Sequence, residues 1–528
     1  MRLRAMRAPV IGFAAIAAAA LPARAAGPQV RVEQGVVEGE GPAEGSTVSR
    51  FLGIPYAAPP VGALRWRAPE PAPAWRGVRK AQAFGDRCVQ PRLWDDLIYR
   101  SKGMSEDCLS LNVWTPTAKP ASGEKWPVLL YIYGGGYLAG DSSEPRYDGA
   151  SMAARGMVVV SMNYRLGAFG FLAHPWLSAE SGRGASGNYG LMDQAAALHW
   201  VRRNIAAFGG DPARITIGGE SAGSMSVSAM LVSPLTRQHI AGAIAESGAL
   251  MTPVTPLSLP QAEAIGQTFL QEAKAENLRD LRALSAERVM ALQGNAAMRF
   301  GAIVDGHYLT EQPSQTYARG QAARVPLLIG SNSQELGYEA VLGREPATVA
   351  GYRAALARLF GSRAPLVERL YPAGSDAQVP HTATVLSSDR FLGLATWKLF
   401  DLHRQSGAPT YYYYYSRIRP PVRDQPERGP RPLGALHSAE IEYALGNLDI
   451  NPRYAWTPED RRVSATMQGY FANFVRAADP NGAGLPRWPR AVPGDGMILR
   501  QHIDVDTRTT TFVEQQRYRA MEPLILTR

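Results

Sequence analysis

The stretch Arg214-Ile215-Thr216-Ile217-Gly218-Gly219-Glu220-Ser221-Ala222-Gly223 joins a short apolar strand to a helical run that continues to Leu231. The junction is a Gly-x-Ser-x-Gly, and the strand–turn–helix context is the one that motif requires. Ser221 must occupy a sharp turn in an unfavourable backbone region, so that its hydroxyl points out of the sheet. Gly219 and Gly223 flank it because side chains there would strike the neighbouring strand or helix. Ser221 is therefore the candidate nucleophile.

Outward from this turn, short apolar runs alternate with longer helical patterns. Val128 to Tyr133, Met157 to Met162, Ala241 to Ala245, Val325 to Ile329 and Tyr411 to Tyr415 read as strands. Their near-continuous apolar character indicates burial on both faces, as in a parallel sheet. The five tyrosines of Tyr411 to Tyr415 read as a buried strand of good β-formers rather than a binding platform. Leu191 to Phe208 carries helical spacing and stops at Gly209-Gly210; Gln261 to Leu292 reads as two or three helices. This alternation predicts a doubly wound α/β sheet. No linker or internal repeat interrupts it, so residues 26–528 are expected to form one large catalytic domain.

Composition narrows the class. The chain has 528 residues, 45% of them hydrophobic, which excludes a disordered protein. Two cysteines exclude a disulfide-dense scaffold and a cysteine-ligated zinc cluster. Met1 to Ala25 reads as a secretory signal peptide: Arg2, Arg4 and Arg7, an apolar run from Val10 to Leu21, then Ala23-Arg24-Ala25 as the cleavage site. The apolar run is about 12 residues against the roughly 20 that span a bilayer, and no later segment is long and apolar enough to span one. Removing the leader lowers the formal charge from +10 to +6. The mature protein is expected to be periplasmic or secreted, without a stable membrane anchor. That compartment favours pairing Cys88 with Cys108 across a surface loop. Of the 56 basic residues 50 are Arg, scattered rather than striped, which argues against a nucleic-acid partner.

A serine hydroxyl needs a base, and the base needs an orienting acid. On an α/β-hydrolase sheet the chain order is Ser, then Asp or Glu, then His. His381, His437 and His502 lie well past Ser221, and composition alone does not choose among them.

The choice comes from a resemblance. Phe51 to Ala57, Leu64 to Pro69, Ser105 to Val113, Asn163 to Gly167, Gly187 to Gln194 and Phe208 to Ser221 resemble, in order, segments of the type-B carboxylesterase family. That family includes para-nitrobenzyl esterases, cholinesterases and some lipases, and the resemblance runs from about Val30 to near the C-terminus. It implies the α/β-hydrolase fold: a mostly parallel central sheet flanked by helices, with inserted loops and helices over the active site. It implies Ser221 as nucleophile, His437 in a G-x-x-H-x-x-E pattern as base, and Glu335 as orienting acid. It also implies the Cys88–Cys108 disulfide and an oxyanion hole from the N–H groups of Gly135, Gly136 and Ala222. Glu220 and Glu440 are expected as buried carboxylates holding the loops, and Ser224 and Ser247 as hydrogen-bonding groups behind the site. Two departures stand out: Tyr133 where the family usually has histidine, and Leu336 where glycine often follows the acid.

The function implied is a serine carboxylesterase acting on small-molecule esters through an acyl-enzyme, with no cofactor and no metal. Lipase, thioesterase or amidase activity would use the same residues. A cholinesterase-like binding protein on this fold is the non-catalytic alternative, and a monomer or small homo-oligomer is expected. Arg417, Arg419, Arg423, Arg428 and Arg431, interleaved with prolines ahead of His437, suggest a positive rim. Of these, Arg423, Arg428 and Arg431 are the candidates for drawing in anionic esters.

Overall fold

A computed structural model describes residues 27–116, 125–294, 298–424, 431–494 and 496–526. The expected signal peptide over 1–25, and Arg428, lie outside the described residues.

The frame is a ten-stranded sheet among the described residues. Its strands are β1 (Val48–Pro55), β2 (Ser110–Pro116), β3 (Trp126–Ile132), β4 (Val158–Met162) and β5 (Gly210–Glu220), then β6 (Gly242–Glu246), β7 (Leu327–Asn332), β8 (Thr410–Tyr415), β9 (Leu499–Ile503) and β10 (Arg508–Thr511). In space the order is β10-β9-β8-β7-β6-β5-β3-β4-β2-β1. From β9 to β4 every pairing is parallel; β1, β2 and β10 join antiparallel at the two edges. This is the mostly parallel α/β sheet that the strand–helix alternation predicts.

Burial follows from the layering. Val128 to Ile132 on β3 and every residue of β4 are buried, because helices cover both faces. They include α1 (Tyr189–Asn204) and α2 (Ala222–Val232). The run expected to be one helix to Phe208 ends as a 3-10 turn over Ile205–Phe208, closed by left-handed Gly209 at φ 83°. The stretch Gln261 to Leu292 forms three helices joined by short turns, α3 (Leu259–Ala273), α4 (Leu278–Ala283) and α5 (Ala286–Gln293).

A second, smaller core lies among inserted helices. Tyr352 and Leu356 of α6 (Val349–Phe360), Val379 and Leu386 of α7 (Val379–Ser388) and Met521 of α10 (Gln515–Leu526) pack together. From α7 the chain runs through a π-turn, Asp389–Gly393, into α8 (Leu394–Gln405), and α9 (Pro458–Ala477) follows β8.

Cys88 and Cys108 are bonded, as expected. The expectation of a surface site for them is corrected: both residues are buried, at 1% and 2% exposure. No helix among the described residues is long and apolar enough to cross a membrane.

Candidate active site

β5 is central, between β3 and β6, and its last residue, Glu220, delivers the chain to the turn. Ser221 there has φ 56° and ψ −121°, a conformation that L-residues rarely adopt. Its N–H donates to the Glu246 carbonyl at 2.9 Å, and its own carbonyl accepts from Met225 N–H at 2.8 Å, inside α2. The turn needs its glycines: a Cβ on Gly223 would lie 2.0 Å from the Ile132 carbonyl oxygen. The hydroxyl is thus lifted off the sheet where the helix starts.

The structure separates the three histidines. His381 is exposed on α7, and His502 on β9 meets the Ser416 hydroxyl. Only His437 reaches Ser221. Its Nε2 is 2.9 Å from Ser221 Oγ and its Nδ1 is 2.7 Å from Glu335 Oε2. The other Glu335 oxygen accepts the Asn332 N–H at 2.7 Å, which turns the carboxylate toward the ring.

The loops bearing His437 and Glu335 are stapled together by side chains that the sequence did not mark for this role, Arg419 among them, which was expected on a positive rim. Gln334 Oε1 accepts the N–H groups of Leu433 and Gly434 at 2.7 and 2.9 Å. Ser333 Oγ accepts Ala435 N–H at 2.8 Å, and Asn332 Nδ2 donates to the Leu436 carbonyl at 2.9 Å. On the far side, Arg419 Nη2 donates to the Ser438 carbonyl at 2.6 Å and pairs with buried Glu442 at 2.8 Å. At the end of α7, Ser388 Oγ accepts the N–H groups of Glu335 and Leu336. Three residues on, in the π-turn, the Phe391 ring meets the His437 ring edge-on, with centroids 5.5 Å apart. Leu336 is accommodated with its side chain partly exposed.

Behind the array lies a group of buried carboxyls. Glu440 accepts from Asn332 Nδ2 at 2.5 Å and from Ser247 Oγ at 3.4 Å, so it does hold the loops. Ser224 Oγ donates to the Gly248 carbonyl at 2.5 Å. Glu220 differs from its expected role: its Oε1 has no hydrogen-bond partner and lies 3.3 Å from His437 Nε2. Burial raises the Glu220 carboxyl above its usual range, with His437 pulling part of the way back. Burial also raises Glu440, with Glu335 adding to it, and burial holds Glu246 well up beside Tyr131. For His437 burial opposes the charged ring, but Glu220 and then Glu335 outweigh it and raise the imidazole above its ordinary value.

The glycine loop after β3 completes the site. Gly135 adopts φ 104° and Gly136 φ 63°. No hydrogen bond among the described residues occupies either N–H. As the first residue of α2, Ala222 has an N–H without an intrahelical acceptor. Tyr133 anchors the loop in place of histidine: its ring stacks on Tyr164 at 4.5 Å, and Tyr164 Oη donates to the Tyr133 carbonyl at 3.0 Å.

The Arg–Pro segment is not one positive surface. Arg417 pairs with Asp460, and Arg419 is spent on the His437 loop. Arg423 donates to the Pro452 carbonyl at 3.4 Å, and Arg431 is exposed.

The profile of the Carboxylesterase family matches residues 26–521. A fumonisin B1 esterase from Sphingopyxis macrogoltabida is 38% identical over 471 residues, covering 87% of this chain and 83% of its own. The para-nitrobenzyl esterase of Bacillus subtilis (strain 168) is 35% identical over 466 residues, covering 84% and 88%. Liver carboxylesterase 1 of Oryctolagus cuniculus is 33% identical over 487 residues, covering 84% and 83%.

Proposed function

Because the chain belongs to the carboxylesterase family and is a carboxylic ester hydrolase, we propose that Ser221, His437 and Glu335 are its catalytic triad. The observation that carries this reading is the hydrogen-bonded relay from Ser221 Oγ through both nitrogens of His437 to Glu335 Oε2. His437 takes the Ser221 proton as Oγ attacks the ester carbonyl carbon. The N–H groups of Gly135, Gly136 and Ala222 receive the oxyanion; a donor of this kind contributes roughly 3 kcal/mol to lowering the barrier. His437 then passes the proton to the leaving alcohol. Water, deprotonated by His437, cleaves the acyl-enzyme and frees Ser221. Glu335 keeps Nδ1 protonated and stabilises the imidazolium that forms at each step.

The para-nitrobenzyl esterase among its relatives makes para-nitrobenzyl and para-nitrophenyl esters suitable first substrates. A fluorophosphonate probe should label Ser221 stoichiometrically, and Ser221→Ala should abolish both labelling and hydrolysis. Wild-type turnover by Ser221→Ala would overturn the assignment.

Residues 1–25 are removed on export, leaving 26–528 as the catalytic unit. A buried disulfide supports an oxidising location, periplasmic or secreted. N-terminal sequencing of the exported protein should begin at Ala26. Arg423 and Arg431 contribute an outer positive field, which predicts a steeper fall of rate with salt for anionic than for neutral esters.

A further inference from the structure

Among the described residues only three tryptophan or phenylalanine side chains are exposed: Trp94 at 44%, Trp176 at 39% and Phe391 at 37%. An exposed ring forgoes the stabilisation that burial gives. Two of the three stand at the candidate active site.

Trp94 lies in the loop that the Cys88–Cys108 bond closes. The backbone beside it is fixed: Arg453 Nη1 donates to the Asp95 carbonyl at 2.6 Å, and Asp96 pairs with Arg146 at 3.5 Å. The indole reaches the glycine loop, where a Cβ placed on Gly136 would lie 4.0 Å from Trp94 Cη2. The same loop abuts the nucleophile, since a Cβ on Gly134 would lie 3.0 Å from Ser221 Cβ. Gly136 itself is exposed, so this edge of the loop is open to an incoming ester.

Phe391 is carried on an equally fixed base. Its π-turn begins at buried Asp389, whose carboxylate accepts from Tyr371 Oη, Tyr518 Oη and Arg517 Nε at 2.9, 3.0 and 2.9 Å. The i→i+5 bonding of such a turn widens the helix locally. Here the ring leaves the turn to meet His437 edge-on.

An ester bound for attack by Ser221 touches both neighbourhoods at once. Its carbonyl oxygen meets the glycine-loop N–H groups, and its leaving oxygen meets His437 Nε2. Its substituents therefore extend past the two rings. Leu336 and Leu436, chain neighbours of Glu335 and His437, are exposed as well. None of these four side chains carries a charge, and an apolar substituent would cover surface that the fold leaves in water.

We propose that Trp94 and Phe391 determine specificity by binding an aromatic or branched aliphatic group of the substrate, so that the enzyme selects esters bearing such a group over small ones. This rests on Ser221 as the nucleophile and names the substrate class for that site.

The test is kcat/KM of the mature protein on two matched pairs. Para-nitrophenyl hydrocinnamate against para-nitrophenyl acetate varies the acyl side. Phenethyl acetate against ethyl acetate varies the alcohol. Each ratio is divided by the same ratio for hydrolysis by hydroxide. In at least one pair the wild type should favour the phenyl-bearing ester about tenfold or more. In that pair the preference should fall about fivefold in Trp94→Ala and in Phe391→Ala, and Phe391→Leu should keep part of it. A ring that only props His437 would slow both esters equally and leave the ratio unmoved. Ratios near one in both pairs, or a ratio that either alanine variant leaves unmoved, would overturn the proposal. A rate on tributyrin that jumps at its solubility limit, with both ratios near one, would assign the rings to a lipid surface instead. All these results leave fluorophosphonate labelling of Ser221 intact, whereas failure of the Ser221 assignment shows as activity surviving Ser221→Ala.

Discussion

Glu220 Oε1 lies 3.3 Å from His437 Nε2, the same nitrogen that meets Ser221 Oγ at 2.9 Å. The residue immediately before the nucleophile thus places a buried carboxyl on the proton-accepting face of the proposed base. In its ionised form it favours imidazolium, and His437 is raised above its ordinary value chiefly by this neighbour, against burial. A base must be neutral to accept a proton, so Glu220 delays the rise of activity with pH. Glu220→Gln removes the charge and keeps the shape. The ascending limb of kcat/KM against pH should move to lower pH by about one unit. A profile measured on a neutral ester checks this; an unmoved or alkaline-shifted limb contradicts it.

Arg419 joins the His437 loop to Glu442. Its guanidinium caps the Ser438 carbonyl and pairs with a carboxylate that is 2% exposed. Removing one partner of a buried pair leaves the other charge stranded, at a cost of about 3 kcal/mol or more. Arg419→Met should therefore lower Tm markedly and lower kcat as the loop loses its clamp. The double variant Arg419→Met, Glu442→Gln should regain part of the stability, because the stranded charge is gone. Thermal unfolding of the three proteins decides the point.

Gly135 has a conformation that no side chain tolerates well, and a Cβ there would lie 2.0 Å from the Ala139 carbonyl oxygen. Gly135→Ala must shift the loop and carry its N–H away from the proposed oxyanion position. The expected loss is about a hundredfold or more in kcat, with KM little changed, because the contact strengthens only in the transition state. Equal loss in both parameters would point instead to a damaged substrate pocket.

The sequence announced the central elements because their causes are local. Val158 to Met162 is apolar on both faces, and Gly219 to Gly223 leaves room for a sharp turn. Those features appear in consecutive residues. The edge strands were harder: Ser110–Pro116 mixes serine, asparagine and threonine with its apolar residues, and Val48–Pro55 contains Arg50 and Gly53. Choosing His437 over His381 and His502 needed family resemblance, because proximity to Ser221 spans 216 residues of chain. Gln334 and Phe391 act on His437 and its loop from outside it, and nothing in their own neighbourhoods marks them. The arginine cluster that was visible, ahead of His437, is partly consumed by Asp460 and Glu442.

Gln90 ties the disulfide to the glycine loop. Its Nε2 donates to the carbonyls of Cys88 and Gly140 at 3.0 and 2.8 Å, and its Oε1 accepts Gly140 N–H at 2.8 Å. The Cys88–Cys108 bond closes a loop with a sequence separation of 20, which the chain-entropy model values at roughly 3 kcal/mol. Two effects should therefore separate. Replacing both cysteines by serine should lower stability by about that amount and also lower kcat, because Gln90 loses its fixed base. Gln90→Ala should lower kcat to a similar degree while costing less stability, since the loop stays closed. Denaturant unfolding set beside kcat for the two variants tests this. If the double serine variant loses stability at unchanged kcat, the disulfide only staples the fold and does not support the oxyanion loop.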